Sequence, residues 1–512
     1  MKNFIRIPSK SSAFEADWEV RGELLRAVRQ AESWGHQRFP EGIFDVLQKP
    51  CIPPALYIDL PAFGGHTGRP VFFYGHFDKQ PETQGWSEGL GPWTPVVKDG
   101  RLYGRGSSDD GYSFYTALTA IQALEASGRP HPRIVGLFET DEESGSIDLA
   151  QYLKDIAPRA GNPCILTILD LGIHDYDRIW LTQSLRGVVS FKLKVEVLQH
   201  PVHSGIASGI VPSSFAVMRE LLDRLEDPAT GRVKLPSFHV ELPEEHRETL
   251  KRCAEIVGQH AVEFPYAGDT EPRSSDPFEA MKRNTWEPSL SILGADGLPS
   301  TSEASALLRA STTLALSFRL PPRLDAQRAL SEAISAVTTN IPSHAKVTVY
   351  DLRAEGGFDA PALAPWLKNS IDKASTEVFG HPVEFCFEGA SIGTMRDFRT
   401  TFPNASFFNT GVLGAKENAH APDESLPLSY VERFCSFGGS IMRRDCVTQV
   451  IVRWRDGEED NFATPFEAEN YINWALDELG EPEAAWLEDM QGRKKWDYRL
   501  VEDEEGRLRL MD

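Results

Sequence analysis

Three short apolar runs, each followed closely by a histidine or a carboxylate, constrain the fold of this chain most strongly. The runs lie at residues 70–75, 133–138 and 164–169, and helical patterns at 112–127 and 146–156 separate them. Short apolar runs of this length are typical of buried strands, and strands that alternate with helices form parallel sheets. The sequence therefore predicts an α/β domain with a mostly parallel sheet flanked by helices.

The side chains that follow these strands are candidates for a functional site. His76 and Asp78 come after the first strand, Glu142 and Glu143 after the second, and Asp170 after the third. In open α/β sheets, ligands bind outside the carboxyl ends of the strands. We therefore expect these five side chains to converge at one edge of the sheet.

So many carboxylates in one crevice need positive charge between them, which indicates metal ions. Asp109, in GRGSSDDG, and the distant His420, in ENAHAPDE, add two further donors. Imidazole and carboxylate ligands suit zinc, and a shared carboxylate holds two ions about 3.5–4 Å apart. The sequence predicts two divalent ions, zinc first, with manganese or cobalt as alternatives. Taken singly, each residue could instead cap a helix or stabilise a turn.

The pattern changes near residue 186. Alternating strands are predicted at 188–198, 312–320 and 345–353, with helices at 213–225 and 325–337. This order is typical of a small α+β sandwich of the ferredoxin-like type. We interpret the span 229–285, which has little periodicity, as an irregular excursion.

The charge and the apolar content exclude several classes of partner. The formal net charge is −22, which disfavours binding to nucleic acid or to anionic membranes. No run approaches the roughly 20 apolar residues that span a bilayer, and the N-terminal segment does not resemble a secretory signal. The sequence contains no CxxC motif, so a zinc ribbon is not predicted. We expect a cytoplasmic protein.

A set of regularly spaced motifs extends from about residue 70 to 425. In chain order they are GHFD, GRLYGRGSSDDG, EESGS, a strand-terminal Asp, HSG and a late His. Together they resemble the dinuclear-zinc metallopeptidase family of carnosinases, cytosolic dipeptidases, aminoacylases, acetylornithine deacetylases and glutamate carboxypeptidases (clan MH). The segment GWSEGLGPWTPVVKDGRLYGRGSSDD is especially similar to the dipeptidase branch.

The resemblance implies a division of the metal ligands. One metal binds His76, Asp109 and Asp170. Asp109 also binds the second metal, together with Glu143 and His420, and so bridges the two ions.

The resemblance also implies the reaction. Two metals lower the pKa of a bridging water, which attacks an amide carbonyl as hydroxide. Glu142 acts as the general base and returns the proton to the leaving amine. Asp78 orients a metal-binding histidine through its other ring nitrogen.

Four further residues match positions that serve the substrate in this family. His203, in PVHSGIASG, corresponds to a histidine that stabilises the oxyanion in the neighbouring subunit's site, which implies a homodimer. Arg319, in SFRLPP, corresponds to an arginine that grips a substrate carboxylate. Gly389 and Ser391, in EGASIGT, match a loop that contacts the same carboxylate.

The changes of pattern along the chain predict a division into domains. Residues 1–185 and 388–447 form the metal-binding catalytic domain, including a strand at 406–413 and a helix at 428–442. Residues 186–387 form an inserted lid and dimerisation domain. Residues 448–512 form a small appendage, in which we predict the strand QVIVRW, the helix FEAENYINWALDEL and a hairpin at Glu505-Gly506.

The chain departs from the family pattern at three places, one of which is the segment after about residue 447, which has no counterpart in the family. Gly111-Tyr112 stands where Lys-Gly usually follows the bridging Asp, so a positive charge is lost. Ala306-Leu307-Leu308-Arg309 replaces a family element that begins with Asn or Thr. These departures affect the substrate and leave the proposed metal ligands and base intact.

Three functions remain open. The first is a metal-dependent hydrolase of a peptide or amide bond in a small carboxylate-bearing substrate, of dipeptidase or carboxypeptidase type. The second keeps the site but acts on an N-acyl amino acid or a specialised amide metabolite. The third, a binding homologue without catalysis, is disfavoured because no ligand and no base is lost. A dinucleotide enzyme is also disfavoured, because GRGSSDDG lacks the third glycine of that fingerprint.

Overall fold

The computed structural model describes residues 1–414 and 416–442 and six short strands that follow them. The chain divides into two compact units. The first unit contains residues 1–179, 362–383 and those from 399 onward. The second unit contains residues 180–361 and 384–398.

The described helices are numbered in chain order. They are α1 (Lys2–Ile5), α2 (Trp18–Arg21), α3 (Glu23–Arg38), α4 (Tyr112–Ala126), α5 (Leu149–Ala160), α6 (Ser204–Ala207), α7 (Ser214–Leu225), α8 (Glu244–Val257), α9 (Pro277–Thr285), α10 (Ala326–Thr338), α11 (Pro365–Phe379), α12 (Met395–Thr401) and α13 (Leu428–Met442). Short 3₁₀ turns cover Ser12–Phe14, Glu142–Ser144, Pro236–Phe238, Gly258–Val262, Thr301–Glu303 and Pro342–His344.

The strands are numbered in the same way. Those of residues 1–442 are β1 (Ile43–Lys49), β2 (Ile52–Leu60), β3 (Val71–His76), β4 (Val96–Lys98), β5 (Arg101–Tyr103), β6 (Ile134–Glu139), β7 (Ile165–Ile168), β8 (Trp180–Leu185), β9 (Gly187–Glu196), β10 (Val202–His203), β11 (Glu226–Asp227), β12 (Arg232–Val233), β13 (Ser289–Asp296), β14 (Leu307–Leu308), β15 (Ser311–Leu320), β16 (Lys346–Glu355), β17 (Phe358–Asp359), β18 (Glu384–Glu388), β19 (Ser406–Asn409) and β20 (Ser425–Pro427).

A six-stranded sheet is the centre of the first unit. Its order is β1-β2-β6-β3-β7-β19, and the strands from β6 to β19 are parallel. Every residue of β3, β6 and β7 is buried, as expected for parallel strands covered on both faces. The predicted mostly parallel sheet is confirmed. The antiparallel pair β1 and β2 at its edge was not predicted.

Helices cover this sheet because their apolar positions match its faces. α4 is apolar around most of its circumference and contacts β3, α3 and α13, as expected for a helix buried on several sides. α5 buries one stripe, formed by Leu149, Tyr152, Leu153 and Ile156, and contacts β2 and β6. Both helices occupy the positions that the sequence predicts for them.

The second unit contains an antiparallel sheet of order β13-β15-β9-β16. The helices α7 and α10 contact its strands and share an apolar core with them. The predicted α+β architecture is therefore confirmed. The irregular span predicted at 229–285 is wrong, because it contains α8 and α9.

The compact units differ from the predicted domain boundaries in three segments. Residues 180–185 and 388–398 lie in the second unit, and residues 362–383 lie in the first. Strand pairing explains the first two, because β8 pairs with β17 and in parallel with β18. Helix packing explains the third, because α11 contacts α13.

Six strands follow residue 442: β21 (Val450–Arg453), β22 (Glu459–Phe462), β23 (Trp486–Glu488), β24 (Lys494–Asp497), β25 (Arg499–Glu502) and β26 (Leu508–Met511). β21 falls within the predicted strand QVIVRW, and β25 and β26 pair antiparallel, as the predicted hairpin requires. The helix predicted from FEAENYINWALDEL lies outside the described residues. Within the part of the chain that is described, no helix has both the length and the hydrophobicity to cross a membrane.

Candidate metal centre

The predicted metal ligands all belong to the first unit, and its sheet places most of them. His76 ends β3, Asp170 lies two residues after β7, and Glu143 lies in the 3₁₀ turn after β6. Asp109 lies in the loop before α4, and His420 lies in the loop before β20. The carboxyl ends of parallel strands thus carry three of the five residues, as the sequence argument expects.

His76, Asp109 and Asp170 form one group of donor atoms, called here the first metal group. Their ligand atoms lie within 4.8 Å of one another, and all three residues are buried. Nε2 of His76 lies 3.2 Å from Oδ1 of Asp109 and 3.8 Å from Oδ2 of Asp170. One histidine nitrogen therefore faces two carboxylates.

Asp109, Glu143 and His420 form the second metal group, again with ligand atoms within 4.8 Å. Nε2 of His420 lies 2.9 Å from Oδ2 of Asp109 and 3.3 Å from Oε2 of Glu143. The two oxygens of Asp109 thus face different histidines. The His420 side chain is 57% exposed, so solvent reaches this group.

The protonation of these residues reflects a surplus of buried negative charge. Burial and the neighbouring Asp109 raise the pKa of Glu143 to about 7. Burial opposes the charged form of His420, but its hydrogen bonds to Asp109 and Glu143 raise its pKa to about 11. Burial favours protonated Asp109, yet the hydrogen bonds from both histidines hold its pKa below the usual range. In the metal-free protein, bound protons balance part of the negative charge of these carboxylates. Divalent ions would balance the same charge.

The two donor groups fit a pair of divalent ions by their chemistry. Each contains one imidazole and two carboxylates, which is a ligand set that zinc, manganese or cobalt accepts. A shared carboxylate is the link that two-metal hydrolases use.

Asp78 orders the residues around the first metal group. Its carboxylate accepts hydrogen bonds from the backbone N–H groups of Glu142, at 3.3 Å, and Glu143, at 3.0 Å. Its Oδ1 lies 3.3 Å from Nδ1 of His76. Asp78 therefore connects the histidine to the turn that carries the candidate base.

Glu142 lies beside the metal ligands and has the electrostatics of a proton acceptor. Burial, followed by the negative charge of Asp170, raises the pKa of Glu142 well above its ordinary value. A carboxylate with a raised pKa can accept and return a proton near neutral pH.

A buried ion pair missed in the sequence positions both loops of the second metal group. Nη1 of Arg105 lies 2.9 Å from Oε2 of Glu424, and both side chains are almost fully buried. Glu424 also accepts hydrogen bonds from the backbone N–H of Asp109, at 3.3 Å. Arg105 donates to the carbonyl oxygen of His420, at 3.1 Å. His420 has φ of 64°, a left-handed conformation that a side chain disfavours, so this support is important.

Glu424→Ala is expected to destabilise the protein by about 3–5 kcal/mol, because it leaves the buried charge of Arg105 without its partner. It also removes the acceptor of three backbone N–H groups. Urea-induced unfolding of the metal-free protein measures this loss. A double variant with methionine at both positions should be less destabilised than Glu424→Ala. Equal stability of Glu424→Ala and the wild type would contradict the structural role.

A buried lysine fixes the N-terminal residues next to the site. Nζ of Lys79 donates to the carbonyl oxygens of Phe4, at 2.9 Å, and Ile7, at 2.8 Å. Burial lowers the pKa of Lys79 well below its ordinary value. The next residue, Gln80, donates a hydrogen bond of 2.5 Å to Oε2 of Glu143. The segment after β3 therefore supports both the N-terminal residues and a metal ligand.

Packing explains why glycine occupies position 111. A Cβ atom there would lie 2.1 Å from the Phe4 ring and 2.7 Å from the carbonyl oxygen of Gly106. The Tyr112 hydroxyl donates to the carbonyl oxygen of Leu169, the residue before Asp170. A tyrosine thus reaches the backbone of a ligand loop from α4.

The other predicted site residues belong to the second unit. Nη1 of Arg319 donates to Oγ of Ser391 at 2.8 Å. Gly389 is closely approached by Asn284, whose Oδ1 would lie 2.5 Å from a Cβ at that position. These residues form one cluster within the unit.

His203 lies elsewhere in the second unit, exposed at the start of α6. Its Nδ1 accepts a hydrogen bond from the backbone N–H of Gly205 at 3.1 Å. It pairs with Leu307 between β10 and β14. The divergent segment that begins at Ala306 is therefore the direct neighbour of His203.

Residues 389–393 read Gly-Ala-Ser-Ile-Gly, a pattern that also occurs around the nucleophile of serine hydrolases. Ser391 donates to the carbonyl oxygen of Arg186 and accepts from Arg319. Across the described ranges, no histidine forms a hydrogen bond with this serine. The pattern therefore lacks the base that such a nucleophile needs.

Comparison with protein families decides the relationship. The model of Peptidase family M20/M25/M40 matches residues 72–444. The chain belongs to this family. Because the match covers most of the chain and the metal groups are present, the protein is a metal-dependent hydrolase of peptide or amide bonds.

Curated relatives of this peptidase family agree with the assignment. The chain is 26% identical to a Cys-Gly metallodipeptidase of Schizosaccharomyces pombe over 393 residues, 72% of this chain and 79% of the relative. It is 25% identical to the Beta-Ala-His dipeptidase of Homo sapiens over 388 residues, 71% of each chain. The predicted resemblance to the dipeptidase branch is confirmed.

Solved structures of similar proteins support the fold. The crystal structure of human carnosine dipeptidase 1 matches with a TM-score of 0.69 and 22% identity, covering 86% of this chain and 94% of that one. The di-peptidase Dug1p from Saccharomyces cerevisiae matches with a TM-score of 0.70 and 21% identity, over 86% and 94%.

Proposed function

We propose that this protein is a dipeptidase that depends on two zinc ions and cleaves dipeptides with a free carboxylate. The observation that carries the proposal is the pair of donor groups that share Asp109, with Glu142 beside them. Two of the relatives are a Cys-Gly metallodipeptidase and a Beta-Ala-His dipeptidase, which supports the substrate class. Zinc is the first ion proposed, and manganese and cobalt are alternatives that the same imidazole and carboxylate ligands accept.

Divalent ions bound at the two metal groups would lower the pKa of a bound water and polarise the substrate carbonyl. His76, Asp109 and Asp170 hold one ion, and Asp109, Glu143 and His420 hold the other. Asp78 keeps the ring of His76 in a fixed orientation, because it lies against Nδ1 and leaves Nε2 directed toward the carboxylates.

Glu142 moves the protons of the reaction. It takes a proton from the attacking water and delivers it to the nitrogen of the leaving amine. Its raised pKa favours the first step, because the buried carboxylate gains a proton readily. Asp78 holds the backbone of the same turn and so fixes the position of Glu142.

The second unit supplies substrate binding in this proposal. Arg319 pairs with the substrate carboxylate through its planar guanidinium, and Ser391 and Gly389 contribute hydrogen bonds from their turn. His203 stabilises the oxyanion in the site of a second subunit, so we propose a homodimer. Residues 186–387 would then form the greater part of a lid and dimerisation domain. We also propose a cytoplasmic location.

One observation favours a second substrate class. A succinyl-diaminopimelate desuccinylase of Methylobacillus flagellatus is 42% identical over 167 residues, which is 32% of this chain and 44% of that one. An N-acyl amino acid is therefore the alternative substrate, cleaved at the same metal centre.

The deciding experiment is hydrolysis by metal-stripped protein that is reconstituted with zinc, manganese or cobalt. The substrates are dipeptides, including Cys-Gly and β-Ala-His, and N-acetyl and N-succinyl amino acids. We expect turnover of dipeptides that depends on the added metal and is highest with zinc. Faster turnover of the N-acyl substrates would select the alternative. Absence of metal binding would refute both.

A further inference from the structure

Arg186 is a nearly buried arginine between β8 and β9, with 6% of its surface exposed. It belongs to the second unit and is not among the predicted site residues. A buried guanidinium is costly unless its charge and its N–H groups are satisfied.

The contacts of Arg186 are with neutral groups of a single turn and its surroundings. Nε donates to the carbonyl oxygen of Gly389 at 2.8 Å, and the backbone N–H donates to that of Ala390 at 3.0 Å. The carbonyl oxygen of Arg186 accepts from the Ser391 hydroxyl. One residue thus fixes three successive residues of the turn.

Arg186 also reaches the neighbouring strand. Its Nη1 donates to Oγ of Ser289 at 3.2 Å. Ser289 pairs directly with Arg319 in the register of β13 and β15. Ser391 links the two arginines from the other side, because its hydroxyl contacts Arg319 and the Arg186 backbone. Both guanidinium groups therefore lie around the same turn.

The positive charge of the two arginines is only partly compensated, because the charges of Arg353 and Glu355 act on Arg319 in opposite directions. Among the residues that the structure describes, no carboxylate forms an ion pair with either side chain. Burial, and then the charge of Arg319, lowers the pKa of Arg186 to about 10, so the cation persists at neutral pH. A simple structural role would not need a buried cation such as Arg186 without an ion-pair partner, whereas an anionic ligand would balance its charge.

We propose that Arg186 is a positioning residue and second cation of the carboxylate subsite, which holds the turn at Gly389–Ser391 and favours ionised carboxylates over neutral amides. This inference rests on the proposed function and deepens it, because it assigns the selectivity for a free carboxyl end to two arginines.

The test compares a dipeptide with its C-terminal amide, using the full chain loaded with zinc. Arg186→Met is expected to raise KM for the dipeptide about tenfold or more, with a change of less than about twofold for the amide. Arg186→Lys, which keeps the charge, should raise KM for the dipeptide by a smaller factor. The control is Arg247→Met, because Arg247 is exposed and pairs with Glu244. It should alter neither KM.

Equal changes of KM for the two substrates, or no change, would overturn the proposal. If Arg186→Met does not fold, Arg186→Lys carries the same comparison. A binding measurement separates this inference from the proposed activity. Calorimetry measures binding of the dipeptide and of its amide to two proteins, the Glu142→Gln variant and the double variant Glu142→Gln, Arg186→Met. Preferential binding of the dipeptide over its amide, lost in the double variant, would support the subsite even if no hydrolysis is found. Equal binding of the two compounds by the Glu142→Gln protein would refute it.

Discussion

Glu142→Gln is expected to lower kcat by about 10²–10⁴-fold while both metals remain bound. Glutamine keeps the size of the side chain but cannot accept the proton of the attacking water. Glu142 is not a member of either metal group, so the donor atoms stay in place. Steady-state kinetics and metal analysis of the same preparation measure the two effects.

The matched control for this substitution is Glu88→Gln, which makes the same chemical change at an exposed position. It should leave kcat and metal content unchanged. A Glu142→Gln protein with full metal content and wild-type kcat would show that another group carries the proton.

Asp109→Ala is expected to reduce metal binding at both sites, because Asp109 belongs to both donor groups. Its two oxygens face His76 and His420, so the substitution removes one donor from each group. We expect hydrolysis to fall by more than about 10³-fold, since both the metals and the chemistry they support are lost. Metal analysis after dialysis against a fixed free zinc concentration measures the loss.

Asp170→Ala is the informative comparison, because Asp170 belongs to the first metal group alone. It should retain about one metal equivalent, held by the second group. Loss of equal amounts of metal from the two variants would contradict the bridging position of Asp109. Asp110→Asn tests the neighbouring carboxylate, which accepts a hydrogen bond from the backbone N–H of His76 and is not in either group.

The positions of the ligands could be predicted because a physical rule connects them to the sheet. His76, Glu143 and Asp170 follow buried parallel strands, and such strand ends meet at one edge. His420 was singled out only as a late histidine that could complete the metal site, since no strand pattern in its own segment leads to the site. Nothing in the sequence around Glu424 indicates its structural role, because its burial depends on the distant Arg105.

The missed helix α8 shows a different limit. Its buried residues His246, Leu250, Cys253, Ala254 and Val257 follow the helical repeat, so a signal was present in the segment. The many charged residues on its exposed face obscured that signal. The edge pair β1 and β2 was missed because the segment follows a helical pattern and precedes the first recognisable parallel strand. Arg186 could not be singled out, because an arginine after an apolar strand is usually exposed.

The order of the central sheet has a consequence for how the protein is made. β19 pairs with β7, yet residues 169–405 separate them in the sequence. A chain that emerges from the ribosome therefore presents an open edge at β7 until residues 406–409 are synthesised, and open edges invite pairing with other chains. His420 emerges later still. We expect nascent chains that end before residue 406 to need chaperones, and the second metal group to form only after residue 420 has been synthesised.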